Sequence, residues 1–343
     1  MKINTSVKLT VIFTLLLVAS LTACGNSDVI PEEATSAPTD VNIAVNEAPA
    51  QEQTPTPSPT PEPAPIPEPT TDSESETVSE DNSEAVIIDL NGQGLNDAQL
   101  AAMVRSGEIP AGVTTLYLAG NEITDISPLE GLTQIRILNL SFNQISDISP
   151  LKGLTQLEIL LLTSNEISDI SPLKGLTQIR DLYLVFNQIS DISALAGMYN
   201  LEFLVAAINQ ISDISPLEDL TGLRILLLSG NQISDITPLA YLTGLTELII
   251  SENQISDLSA LGGLINLEII NLANNYISDI SALAGLMNLE LLSLSDNEIS
   301  DISPLAYLTN LEYLYITLLH GGINTRITDW SPVAHVGSVG GRP

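Results

Sequence analysis

The residues able to carry acid–base or nucleophilic chemistry are few in this chain and widely separated. The two histidines, His320 and His335, both fall near the C-terminal end, and the single cysteine is Cys24. A catalytic centre needs a nucleophile, a base and an orienting group that converge. The sequence has no phosphate loop, no His-Glu-x-x-His segment and no paired-carboxylate motif. We therefore predict no catalytic residues, no cofactor and a non-enzymatic role.

The most regular acidic feature is a single Asp that returns with a fixed period. Stacked carboxylates can bind calcium, which favours several oxygen ligands. However, each unit supplies one Asp and no second acidic column lies beside it. We interpret this column as the capping of tight turns, and we predict no metal site. Its members are Asp125, Asp147, Asp169, Asp191, Asp213, Asp235, Asp257, Asp279, Asp301 and, after a break in phase, Asp329.

These Asp residues belong to a 22-residue repeat that is marked by a constant Asn. Counted from that Asn, apolar residues recur at positions −8, −5, −3, +2, +5, +8 and +11. The −5/−3 pair is typical of a strand with one buried face, whereas the later three-residue spacing favours tight helical turns. Ser171-Pro172 predicts a Ser N-cap followed by Pro at the first helical position. The Asn residues are Asn121, Asn143, Asn165, Asn187, Asn209, Asn231, Asn253, Asn275 and Asn297, and we expect each amide to satisfy backbone groups at the turn.

The pattern resembles the leucine-rich repeat, specifically the 22-residue bacterial type of internalins, over residues 86–336. The resemblance implies an α/β-class, right-handed leucine-rich repeat solenoid with a parallel, concave β-sheet and mainly 3₁₀ or short helical convex returns. One unit cannot bury its seven apolar positions alone, so stacked neighbours must form the core. Ten strands about 4.8 Å apart would give a sheet roughly 45–50 Å long. Internalins as a family imply attachment to host surface receptors.

The repeats, at residues 113–317, need caps at both ends because terminal units expose apolar faces. Residues 85–112 are predicted to form the N-terminal cap, in which Ile88 and Leu90 belong to a first strand. Asn96 is expected to cap a helix containing Leu100, Met103 and Val104. Residues 318–343 are predicted to form the C-terminal cap and tail, with Trp330 covering the open end.

The N-terminal segment is typical of export. Residues 1–23 combine Lys2 and Lys8 with an apolar run and a small-residue end, which predicts a signal peptide. The junction Leu21-Thr22-Ala23-Cys24 resembles a bacterial lipobox, which implies cleavage before Cys24 and lipidation of that residue. Residues 24–84 are predicted to be a disordered, acidic stalk rich in Pro, Thr and Ser. We expect an extracytoplasmic, surface-exposed protein held in the bacterial cell membrane through lipidated Cys24.

The charge balance narrows the choice of partner. The chain has 10 Lys and Arg against 42 Asp and Glu, a formal net charge of −32. Nucleic acid binding depends on Lys and Arg that release counterions, so we predict no nucleic acid partner. We expect the protein to act as a monomer that binds another protein.

The outward strand positions, at −6, −4 and −2, and the neighbouring −1 position vary among repeats, and they form the predicted protein-binding site on the concave face. In the middle repeats they carry aromatic and branched residues, which would form an apolar patch of the size that marks an interaction surface. β-Propensity without any partner is a second interpretation. The predicted contact residues are Phe142, Ile159, Leu161, Tyr183, Val185, Phe186, Phe203, Val205, Ile208, Ile225 and Leu227.

Two other functions fit the same sequence. A carbohydrate-binding module would use Tyr117, Tyr183, Tyr313 and Tyr315 as stacking platforms. A structural cell-envelope protein would need the stalk and the caps but no dedicated ligand.

Overall fold

The computed structural model describes residues 85–318, 324 and 326–342. The predicted signal peptide, the predicted lipidation site Cys24 and the predicted stalk lie outside the described residues. Within them, twelve short strands form one parallel sheet in sequence order. The strands are β1 (Ile87–Asp89), β2 (Thr115–Tyr117), β3 (Ile137–Asn139), β4 (Ile159–Leu161), β5 (Asp181–Tyr183), β6 (Phe203–Val205), β7 (Ile225–Leu227), β8 (Glu247–Ile249), β9 (Ile269–Asn271), β10 (Leu291–Ser293), β11 (Tyr313–Tyr315) and β12 (Ser338–Gly340).

Among the described residues, a 3₁₀ turn lies between each two consecutive strands from β2 to β12, which makes ten turns. The turns span Ser127–Leu129, Ser149–Gly153, Ser171–Leu173, Ser193–Leu195, Ser215–Leu217, Thr237–Tyr241, Ser259–Leu261, Ser281–Gly285, Ser303–Tyr307 and Ser331–Val333. Strand, turn and short return therefore alternate as the repeat pattern predicts. The parallel sheet with 3₁₀ returns confirms the predicted fold class.

The predicted count of ten strands is wrong, because the sheet continues through β11 and β12. In β11 the apolar alternation persists, with Leu314 buried, although the Asn column has ended. The final strand pairs in register with β11, from Tyr313 opposite Ser338 to Tyr315 opposite Gly340. Its sequence, Ser-Val-Gly, carries none of the repeat's markers, so the repeat pattern does not reveal it.

The core runs the whole length of the repeats between the sheet and the turns. In the unit of Asn165, the seven apolar positions from Leu157 to Leu176 are each at most 1% exposed. Adjacent strands are in register with no slip, so Leu160 lies opposite Leu138 and Leu182. Equivalent apolar residues therefore stack from one unit to the next, and each unit depends on its neighbours.

One α-helix closes the N-terminal end of the core. Helix α1 (Asp97–Ser106) begins after Asn96, whose side chain accepts a hydrogen bond from the Gln99 N–H in a capping box. Leu100 is fully buried, and Met103 and Val104 pack against the core. The helix ends at Gly107 in the left-handed conformation. These features confirm the predicted capping helix, and Trp330 packs against the core near the other end.

The Asn column forms a ladder of hydrogen bonds that joins successive repeats. Asn165 Nδ2 donates to Leu140 O at 3.0 Å and to Leu162 O at 3.1 Å. Its Oδ1 accepts the Ile145 N–H at 3.0 Å. Two of these three partners belong to the preceding repeat, and the pattern recurs from Asn143 to Asn297. The amide thus satisfies backbone groups at the turn, as predicted.

The Asp column caps the 3₁₀ turns. Asp169 Oδ1 accepts the Ser171 N–H at 2.7 Å, and Ser171 Oγ donates to Asp169 Oδ2 at 3.0 Å. The predicted Ser N-cap is therefore wrong: Ser171 is the first residue of the turn, and Ile170 holds the cap position without a side-chain bond. Backbone and side-chain hydrogen bonds from the following Ser hold the pKa of Asp147, Asp191, Asp279 and Asp329 below its ordinary value.

Candidate functional site

The candidate site is the side of the sheet that faces away from the core. We call it the outer sheet face and define it by positions −6, −4, −2 and −1 of each repeat, which include all eleven predicted contact residues. Positions −6 to −4 are the strand itself, so the −6 and −4 side chains point outward while the −5 side chain enters the core. In the repeat of Asn143, the residues that follow the strand are buried until Phe142, at position −1, which is exposed.

Position −1 adopts a left-handed backbone in every repeat. We call these residues the left-handed column, and their φ angles lie between 53° and 68°. Each N–H donates to a carbonyl of the next repeat, as in Phe142 N–H to Thr163 O at 2.8 Å. Gly and Asn adopt this conformation readily, whereas bulky and β-branched residues rarely do. The column comprises Gly120, Phe142, Ser164, Phe186, Ile208, Gly230, Glu252, Asn274 and Asp296.

The most exposed apolar side chains of the predicted site stand in this column. Phe142 is 60% exposed, because its neighbours in the column, Gly120 and Ser164, are too small to cover it. Phe186 is 37% exposed between Ser164 and Ile208. Both rings therefore project from a backbone conformation that disfavours them.

Five further predicted residues are half-buried and line the same part of the face. They are Ile159, Leu161, Tyr183, Phe203 and Ile208. Four of them lie on the consecutive strands β4 to β6, and Ile208 follows β6 in the left-handed column. Register places Tyr183 between Leu161 and Val205. These side chains form an apolar floor beside the two exposed rings. We call the seven exposed and half-buried residues together the apolar patch.

The expectation that all eleven residues face solvent is wrong for four of them. Val185, Val205, Ile225 and Leu227 are each less than 9% exposed, although they lie outside the main core cluster. Strands about 4.8 Å apart bring neighbouring outward side chains into contact. Val205 lies in register between Tyr183 and Leu227, and the larger Tyr183 shields it. These four residues therefore belong to the outer sheet face but do not form its exposed surface.

A buried carboxylate interrupts the apolar patch. Asp181 is 6% exposed and lies in register between Ile159 and Phe203. Its burial raises the pKa of the carboxyl group to about 6, against a smaller lowering effect of Arg180 and with further raising effects of Glu202 and Glu158. Burial, with a contribution from Asp181, also raises the pKa of Tyr183 to about 12.

Charge is distributed unevenly along the sheet edge at position −7. In the first half, Arg136, Glu158, Arg180, Glu202 and Arg224 alternate. Glu158 forms ion pairs with Arg136 and Arg180, and Arg224 pairs with Glu202. In the second half, residues 225–325 contain no Lys or Arg. The same edge there carries Glu268, Glu290 and Glu312 in consecutive repeats, so the face becomes anionic toward its C-terminal end.

The four tyrosines of the carbohydrate interpretation do not share one site. Tyr117 and Tyr183 are half-buried and lie three strands apart, about 14 Å by strand spacing. Tyr313 and Tyr315 are exposed on β11, about six strand spacings beyond Tyr183, or roughly 29 Å. A single sugar ring cannot contact more than one of these groups.

Sequence reasoning missed two features of the face. The left-handed column could have been recognised from Gly120, Gly230 and Asn274, which favour positive φ at the same position. The burial of Asp181 depends on the size of its neighbours on β4 and β6, which no repeat pattern encodes.

The described residues contain few features of other site classes. Within residues 85–318, 324 and 326–342, no group of three or more His, Cys, Asp or Glu side chains is arranged to hold a metal ion. In the part of the chain that the structure describes, no helix has the length and apolar character needed to cross a bilayer. The described histidine, His335, contacts Leu308 O through Nε2 at 3.0 Å.

Comparison with known proteins agrees with this architecture. The family profile for leucine-rich repeats in two copies matches residues 112–153, 155–197, 199–241, 243–285 and 288–335, more than half of the chain. An internalin (InlF) from Listeria monocytogenes is 33% identical with a TM-score of 0.60, over 74% of this chain and 86% of that one. A search of curated proteins finds no match.

More distant structures share the fold. A leucine-rich repeat protein from Leptospira interrogans is 22% identical with a TM-score of 0.58, over 67% of this chain and 64% of that one. The leucine-rich repeats of FLRT2, solved in an octameric complex with Latrophilin 3 and Unc5D, are 22% identical with a TM-score of 0.52, over 68% of this chain and 84% of that one. With its repeats matched by the family profile and its sheet by these structures, the chain belongs to the leucine-rich repeat family.

Proposed function

We propose that this protein is a protein-binding module that holds its partner on the apolar patch of the outer sheet face. One observation carries the proposal: Phe142, Phe186 and Ile208 are the apolar residues of a left-handed column in which the other repeats use Gly or the polar residues Ser, Asn, Asp and Glu. A left-handed backbone costs an ordinary residue roughly 1–2 kcal/mol. Folding therefore gives no reason to place large apolar side chains there, whereas binding does, since strained positions cluster at functional sites.

The patch has the composition expected of a binding surface. It combines two exposed aromatic rings with a half-buried apolar floor, and aromatic residues dominate interface energetics. The internalin similarity and the FLRT2 complex support a protein rather than a sugar as the ligand. The separation of the four tyrosines argues against the carbohydrate alternative, and the strained rings argue against a scaffold without a ligand.

Selection from a phage-displayed dodecapeptide library on the full chain tests this function. The double variant Phe142→Ser, Phe186→Gly replaces both rings with residues that other repeats carry in the same column, Ser164 and Gly230. Enriched peptides should bind this variant at least tenfold more weakly. The control Tyr241→Gly removes an even more exposed aromatic residue, from a 3₁₀ turn, and should leave binding unchanged. Enriched peptides that bind both variants as well as the parent would contradict the proposal.

We also propose that residues 1–23 are removed on export and that Cys24 carries the lipid that anchors the protein outside the cytoplasmic membrane. Two acyl chains on one residue meet the requirement for stable anchoring. The acidic, Pro-rich residues 24–84 would then space the repeats from the bilayer. Metabolic labelling with palmitate should label the parent and not Cys24→Ser, and the variant should leave the membrane fraction. Equal labelling of both would contradict lipidation at Cys24.

We propose that the repeats act as a monomer. Light scattering of the purified protein at micromolar concentration should give the mass of one chain, and a dimer mass would contradict this.

A further inference from the structure

Asp181 stands at a central point of the apolar patch. Its register neighbours on β4 and β6 are Ile159 and Phe203, and Tyr183 follows on its own strand. The fully enclosed side-chain polar atoms without a partner among the described residues are Asp296 Oδ1 and Trp330 Nε1. The Asp181 oxygens, which form no hydrogen bond among the described residues, are not among them, so they are not fully enclosed.

Among the described residues, no Lys or Arg side chain forms an ion pair with this carboxylate. The nearest one, Arg180, pairs with Glu158 through Nη2 and Oε2 at 2.8 Å. The charged residues that directly precede the two packed strands, Glu158 before β4 and Glu202 before β6, are both acidic and add to the negative potential. Among the residues that the structure describes, no hydrogen bond or ion pair to the Asp181 carboxylate is formed. Burying a carboxylate without a partner costs free energy, unless a bound ligand supplies the missing partner.

The fold does not require an acid at this position. The equivalent residue is Ile in four other repeats, at Ile137, Ile159, Ile225 and Ile269, and the remaining repeats carry Thr115, Phe203, Glu247 and Leu291 there. An Ile at position 181 would fit the same column and would extend the apolar floor. Asp181 differs from these residues in being a buried acid without a partner among the described residues, and a titrating group shifted by burial inside a recognition surface is a functional-site candidate.

We propose that Asp181 anchors the partner by pairing with one Lys or Arg side chain, which the partner presents between aromatic or aliphatic side chains. This inference rests on the proposed function. The surrounding charge fits it, because the arginines of the near edge are already paired and residues 225–325 lack any Lys or Arg. A basic, apolar segment of a protein would thus meet a complementary surface along the whole face.

Two phage-displayed dodecapeptide libraries, both rich in Trp, Tyr and Leu and free of His, test the anchor. One contains Lys and Arg and the other lacks them. Selected peptides from the basic library should bind the full chain at least tenfold more tightly than those from the neutral library. The best basic peptide should bind Asp181→Asn at least tenfold more weakly. The control Glu218→Gln removes the same charge at an exposed position beside a 3₁₀ turn and should leave the affinity unchanged.

A double-mutant cycle and a pH series make the test specific. Replacing the critical Lys of the peptide by Met should weaken binding to the parent tenfold and change binding to Asp181→Asn little. Because the free carboxyl group has a pKa of about 6, the parent should bind about tenfold more weakly at pH 5 than at pH 7.5. Asp181→Asn lacks this carboxyl group and should show no such difference. The variant keeps the other charged or titratable groups around the site, Arg180, Glu158, Glu202 and Tyr183, so any effect of pH on them would remain in it.

The outcomes separate the two proposals. If peptides depend on Phe142 and Phe186 but bind Asp181→Asn as well as the parent, the anchor is wrong and the binding face stands. If no enriched peptide depends on Phe142 and Phe186, the proposed function fails and the anchor fails with it.

Discussion

Replacing Asp181 by Asn should make the protein more stable at neutral pH. Burial raises the pKa of this carboxyl group from its ordinary value of 3.8 to about 6. A shift of about two units corresponds to about 3 kcal/mol of disfavoured ionisation. The opening of the carboxylate to solvent screens part of that amount. We therefore expect the free energy of unfolding of Asp181→Asn to exceed that of the parent by about 1–2 kcal/mol at pH 7.5.

The pH dependence of this difference follows from the sign of the shift. A raised pKa in the folded state contributes stability that is complete below pH 3.8 and is lost as the pH rises through about 6. At pH 5 the difference between variant and parent should be about half of its value at pH 7.5, and at lower pH it should disappear. Equilibrium unfolding in urea at both pH values, followed by circular dichroism, measures it.

Two further variants serve as controls for this experiment. Glu218→Gln removes an exposed acid and should change the unfolding free energy by less than about 0.5 kcal/mol. Asp181→Ile copies the residue of four other repeats and avoids burying an amide, so it should be at least as stable as Asp181→Asn. If neither Asp181 variant gains stability at pH 7.5, or if the gain does not shrink at pH 5, burial is not the origin of the shift.

The repeat core gives two more predictions. Asn165→Ala should cost about 1–3 kcal/mol, because it leaves the buried Ile145 N–H without a partner and removes one of the two side-chain donors to Leu140 O and to Leu162 O. Hydrogen exchange should then accelerate in the two adjoining repeats, and a uniform acceleration over all repeats would contradict nearest-neighbour coupling. Leu160→Ala should cost about 2–5 kcal/mol by opening a cavity in the core. Leu161→Ala, one residue on and on the outer sheet face, should cost less than half as much in urea unfolding, and equal costs would contradict the assignment of faces.

The sequence predicts the core and the turns well because both depend on one repeating unit. The apolar positions around Asn165 are buried as the spacing requires, and the Asn and Asp columns bond where the chain changes direction. These contacts lie within one repeat or between adjacent repeats of almost identical sequence. The sequence pattern of one repeat therefore also predicts its contacts with the neighbouring repeats.

The outer sheet face is predicted less well because its exposure depends on unlike neighbours. Outward position alone does not distinguish exposed Phe142, beside Gly120 and Ser164, from buried Val205, beside Tyr183 and Leu227. Which of them contacts solvent follows from the sizes of side chains on adjacent strands. Strand β12 was not predicted for a different reason. It pairs with β11 through its backbone, and its sequence lacks the residues that mark the repeat.

The most direct test of the binding face measures stability and affinity on one variant, Phe186→Gly. Gly relieves the left-handed strain, which offsets the loss of a partly buried ring and the greater flexibility of the unfolded chain. We predict an unfolding free energy within about 1 kcal/mol of the parent and an affinity for the selected peptides at least tenfold lower. A loss of more than about 2 kcal/mol in stability with unchanged affinity would show that Phe186 serves folding, and the account of the outer sheet face would be wrong.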